Sequence, residues 1–103
     1  MPERFAGKAS FHQEAEKEFL EAAGEYATES DDLADEFEAE VRRGIESILE
    51  YPEMDPAMGH KRLRGKVLQR FPYTLVYAIE RGRVRLLAVA HQRRRPSYWA
   101  SRT

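Results

Sequence analysis

At 103 residues, with 42% apolar and 34% charged side chains, the chain has the length of one ordinary domain and is too short for two. It contains no cysteine, which excludes disulfides and thiolate metal sites, and its longest apolar run, Leu86-Leu87-Ala88-Val89-Ala90, is far short of a membrane span. The net charge of -1 conceals a segregation: residues 1–58 carry 5 Lys/Arg against 17 Asp/Glu, whereas residues 59–103 carry 12 Lys/Arg against Glu80 alone.

The opening Met1-Pro2-Glu3-Arg4-Phe5 lacks the apolar core of a signal peptide, so the expectation is a soluble cytoplasmic protein made of one domain over residues 1–103. A short strand before Phe11 is weakly signalled. From Phe11 onward, apolar residues recur at Ala15, Phe19, Ala22, Ala23 and Tyr26, spacings of three and four that define one helical stripe. Ser10 with Gln13, or else His12, supplies the cap. Ser30, Asp31 and Asp32 form a turn and the acidic first turn of a second helix. Its stripe is Leu33, Phe37, Val41, Ile45, Ile48 and Leu49, and Pro52 stops it. Two amphipathic helices joined so tightly predict an antiparallel hairpin.

Pro52, Pro56 and Gly59 mark residues 52–60 as a loop, after which the period changes. Lys61 to Phe71 reads as a strand, bulged at Gly65. Tyr73 to Glu80 and Arg83 to His91 both alternate, and Arg81-Gly82 between them has the form of a two-residue hairpin loop. The resulting order is β-α-α-β-β-β, an α+β fold. An unbroken hairpin register pairs Glu80 with Arg83, Ala78 with Arg85, Val76 with Leu87 and Thr74 with Val89. One face then carries Tyr73, Leu75, Tyr77, Ile79, Val84, Leu86, Ala88 and Ala90, and this apolar face is expected under the helices. The other face carries Thr74, Val76, Ala78, Glu80, Arg83, Arg85, Leu87, Val89 and His91, open or covered only by the tail or a partner.

No phosphate-binding glycine loop, nucleophile elbow or metal-ligand spacing occurs, and His12, His60 and His91 are scattered, so neither a metal nor another cofactor is expected. The chemistry that remains lies in the basic, aromatic second half: Arg62, Arg64, Lys66, Arg70, His91, Arg93, Arg94, Arg95, Tyr98 and Trp99. Guanidinium groups hold phosphates bidentately, aromatic and guanidinium planes stack on unpaired bases, and a histidine among them can act as an acid or base in metal-independent RNA cleavage. The plainer readings are that Tyr73 and Tyr77 belong to the core, that Trp99 anchors the tail, and that Arg81, Arg83 and Arg85 blunt a strand edge.

Phe71-Pro72-Tyr73 followed by Tyr77, a short hairpin and then Ala88-Val89-Ala90-His91-Gln92-Arg93-Arg94-Arg95-Pro96-Ser97-Tyr98-Trp99 closely resembles the ending of RelE/ParE superfamily toxins of type II toxin–antitoxin systems. Ala15, Glu18, Phe19 and Leu20 resemble the family's first helix, and Arg62-Leu63 its strand after a glycine-containing loop. The resemblance implies an antiparallel sheet with an α-hairpin on one face, and a hetero-oligomer with a cognate antitoxin. It also implies one of two targets. ParE-like members poison DNA gyrase, and the Phe-Pro-Tyr segment and the His-x-Arg-Arg-x-Pro ending resemble that branch, although Arg95 stands where an acidic residue is common. RelE-like members cut messenger RNA in the ribosome; in that case Arg70, His91 and Tyr98 are the catalytic candidates. Arg62, Arg64, Arg85, Arg93, Arg94 and Trp99 are the candidates for binding target or antitoxin. A toxin fold surviving only as an inactive binding module is the third alternative.

Overall fold

The computed structural model describes residues 9–58, 60–95 and 97–102. Strand β1 (Ala9–Phe11) leads into helix α1 (Gln13–Glu29), whose cap is His12: its Nδ1 accepts the Glu14 N–H at 3.0 Å, the role that Ser10 does not take. Ser30 serves two helices at once. Its N–H closes α1 onto the Tyr26 carbonyl, and its Oγ accepts the Leu33 N–H at 2.9 Å to open α2 (Asp31–Glu50). One residue between two helices forces the antiparallel hairpin that the sequence predicts. A two-residue strand β2 (Ala57–Met58) lies inside the segment read as loop, followed by β3 (His60–Val67), β4 (Tyr73–Glu80) and β5 (Arg83–His91), then a short 3-10 turn (Ala100–Arg102).

The sheet order is β1-β5-β4-β3-β2. It is antiparallel except at β1, which runs parallel to β5. The β4–β5 turn has the predicted two residues, with positive φ at both Arg81 (54°) and Gly82 (77°), the conformation that matches strand twist in a tight hairpin. Strand β3 ends at Val67, four residues earlier than expected. Leu68 and Phe71 turn into the core instead, and the Leu68 N–H closes the loop onto the Tyr73 carbonyl.

The hairpin register corrects the expected faces. Glu80 pairs with Arg83 and Ala78 with Arg85, as the alternation predicts, but Tyr77 pairs with Leu86 while Val76 pairs with Ala88. Leu87 is the extra residue of a bulge, and every side chain beyond it changes sides. Val89 therefore packs with the helices, whereas Ala88 and Ala90 join Leu87 on the opposite face. The helix-side core is rich in rings: Phe37 lies 5.7 Å from Phe19, 5.2 Å from Tyr26, 5.3 Å from Phe71 and 5.4 Å from Tyr73. On the other face Leu63, Val76, Ala78, Leu87, Ala88 and Ala90 are covered by Trp99, which is 5% exposed.

Candidate functional site

The bulge at Leu87 leaves β5 with open backbone groups just where β1 has ended, since the last contact on that side is the His12 N–H donating to Leu86 O. Two side chains fill the place of a neighbouring strand. Glu18 of α1 accepts the Val89 N–H at 3.0 Å, and Arg102 of the tail donates to Leu87 O at 2.9 Å. The two also bind one another bidentately, at 3.0 Å on each arm. The Tyr98 hydroxyl donates to Glu18 at 2.8 Å, and the Arg94 guanidinium stacks 3.9 Å from the Tyr98 ring. Burial, together with the bond to the Glu18 carboxylate, pushes the Tyr98 hydroxyl well above the usual phenol range.

Next to this cluster, on the tail face, lies a cavity of about 340 Å³ whose walls include Thr74, His91, Arg94, Ser97, Tyr98 and Trp99. His91 borders it but belongs equally to the helix side: because of the bulge its ring packs edge-on against Tyr73, 5.0 Å between centroids, instead of pointing away from the helices. Its Nδ1 accepts the Arg93 N–H at 3.0 Å, so in the neutral ring the proton sits on Nε2.

The basic residues of β3 lie elsewhere. Arg64 pairs across the ladder with Tyr77 and Lys66 with Leu75, which places both on the helix side of the sheet. Arg64 donates to the carbonyls of Glu53 (3.0 Å) and Asp55 (2.7 Å) and Lys66 lies 3.4 Å from the Asp55 carboxylate, so both hold the α2–β2 connection in place. The Tyr77 hydroxyl completes that clasp, donating to Pro52 O at 2.7 Å and lying 3.1 Å from Asp55. Arg70, in the β3–β4 turn, is ion-paired with Glu36 of α2, while the neighbouring Glu40 carboxylate accepts the N–H groups of Gln69 and Arg70.

The chain's residues 9–96 match the family model described as ParE toxin of type II toxin–antitoxin system, parDE. The chain belongs to the ParE toxin family. Its fold agrees with that of a solved chain from the chromosomal ParDE toxin–antitoxin system of P. aeruginosa, with a TM-score of 0.71 over 82% of this chain and 94% of that one, at 9% sequence identity. No curated protein matches the sequence. The family makes this chain the toxin component of a type II toxin–antitoxin system, with an antitoxin as its partner.

In this ParE-family chain the sequence-derived site residues fall into separate groups. His91, Arg94, Tyr98 and Trp99 converge at the tail cavity, while Arg64 and Arg70 are engaged with the helical side. Trp99 is a buried anchor, Arg85 is half-buried on the tail face, and Arg62 and Arg93 are exposed. Arg70, His91 and Tyr98 do not share a cavity among the described residues. Sequence reasoning missed Glu18 and Asp55 as organising carboxylates. Glu18 had a signal: it stands three residues after Ala15 and four before Ala22, on the flank of the buried stripe, where a carboxylate needs a partner. Asp55 lies in an irregular loop and had none.

Proposed function

We propose that this ParE-family toxin arrests growth by poisoning DNA gyrase through protein–protein contact, and that its antitoxin relieves the arrest. The observation that carries this reading against RNA cleavage is the separation of Arg70 from His91 and Tyr98, which share the tail cavity. Arg70 is committed to Glu36, and the Tyr98 hydroxyl is committed to a carboxylate that Arg102 already neutralises. A RelE-like, metal-independent cleavage of ribosome-bound messenger RNA has one observation in its favour: His91, Arg94 and Tyr98 border a single cavity with basic and aromatic walls.

The deciding experiment induces the chain alone and follows growth, DNA supercoiling and messenger RNA integrity in the same culture, for wild type and for His91→Ala. Gyrase-dependent DNA breaks with intact RNA, and arrest that survives His91→Ala, are the expected result. Codon-phased RNA cuts that fall about a hundredfold or more in His91→Ala would establish the nuclease reading instead. A wild-type chain that leaves growth untouched would mean an inactive binding module.

A further inference from the structure

A second cavity, of about 270 Å³, lies on the helix side between α1 and the end of β5, and its walls have the opposite character to the basic second half. Three carboxylates of α1 border it: Glu18, Glu21 and Glu25. Arg102 and, at 3.7 Å, Arg94 offset Glu18. Neither Glu21 nor Glu25 has a cationic partner among the described residues, so the cavity carries an uncompensated negative charge despite the Arg94 at its rim. The remaining wall is aromatic, formed by Tyr73 and the edge-packed ring of His91. Tyr73 is only 9% exposed, yet its hydroxyl makes no hydrogen bond with the described residues. The Tyr73 ring is buried while its unbonded hydroxyl meets the solvent that fills the cavity, so it is free to bond a ligand that displaces that solvent.

We propose that this cavity receives the guanidinium of an arginine side chain presented by a protein partner. Two exposed carboxylates one helical turn apart supply acceptors in the geometry that a planar, five-donor group uses, and Tyr73 and His91 supply ring surfaces for it to stack on. The Tyr73 hydroxyl accepts a further N–H. A lysine ammonium satisfies the charge and has three donors, but it lacks the plane and the fixed five-donor fork. The inference is independent of which cellular target the toxin strikes.

The test titrates the full chain with N-acetyl-arginine amide and, separately, with N-acetyl-lysine amide, reading the NMR signals of the Tyr73 and His91 rings and the Val89 amide. Saturable shifts with the arginine compound, in the millimolar range expected for one side chain, are the supporting result. Glu21→Gln with Glu25→Gln should weaken that binding about tenfold, corresponding to loss of charge-assisted bonds, while thermal unfolding stays unchanged. Tyr73→Phe, which keeps the ring and removes the hydroxyl, should weaken it by a smaller factor. Absent or non-saturating shifts, equal shifts with the lysine compound, or binding unaltered by the two glutamine substitutions would overturn the proposal.

Discussion

Glu18 is where the chemistry of one residue has the longest reach. Its carboxylate, 11% exposed, joins α1 to the β5 bulge through the Val89 N–H and to the tail through Tyr98 and Arg102. Removing one member of a buried pair leaves the other desolvated and uncompensated, which costs about 3–5 kcal/mol. Glu18→Ala is therefore expected to destabilise the fold by about 3 kcal/mol in urea unfolding, with Trp99, the single tryptophan, as fluorescent reporter. In a double-mutant cycle with Arg102→Ala, the two losses should fall short of additivity by more than about 1 kcal/mol, and full additivity would sever the link drawn here. The tyrosines set an alkaline limit. Tyr77 and Tyr98 are raised from the ordinary value of 10.0, first by burial and then by the carboxylates of Asp55 and Glu18 respectively. A phenol whose folded-state pKa is raised holds its proton more tightly in the folded chain. The stabilisation this gives is intact below pH 10 and is lost as pH rises through the folded-state value. Stability should accordingly fall above pH 10, and less steeply in Tyr77→Phe than in wild type when Tm is followed against pH.

The helices and strands differ in how closely their own residues dictate them. Helix α2 needs only its stripe and the Ser30 cap, and its observed bounds follow the apolar period. Gly24 sits in the interior of α1 with nothing within 4 Å of where a Cβ would stand. Gly24→Ala should therefore stabilise the fold by about 0.5–1 kcal/mol. Gly65 in β3 is the converse: a Cβ there would collide with the Met58 side chain and come within 3.1 Å of Thr74. Gly65→Ala should cost about 1–3 kcal/mol and displace Met58, with β2 with it; an increase in Tm would show that β2 contributes little. The sequence read a bulge at Gly65, and the irregularity in fact lies next to it, where β2 meets β3 out of step between Ala57 and Met58. The other shift, at Leu87, falls within a run of apolar residues that reads equally well on either face, so local pattern gave no warning of it.

At the scale of the whole molecule, the sheet has two buried faces, one covered by the α-hairpin and the other by the tail. Deleting residues 98–103 removes Trp99 from Leu63, Val76 and Leu87 and removes Arg102 from Glu18. The loss should exceed that of Glu18→Ala, because Trp99 alone accounts for about 3–5 kcal/mol, and hydrophobic dye binding should rise as the second face opens. A truncated chain that unfolds at the wild-type urea concentration would show that the tail is not part of the fold. Sequence alone determined the element order apart from β2, the helix stripes, the bounds of β4 and β5, the two-residue turn and the resemblance to the toxin family. Each is set by residues close together in the chain, through helical period, strand alternation and turn chemistry. Tertiary structure alone decided which basic residues meet. Arg64 and Arg70 are drawn to backbone carbonyls and to Glu36 on the helical side, and the Leu87 bulge turns His91 toward Tyr73. Those outcomes depend on charges and strand edges brought together from distant parts of the chain, which no local period encodes.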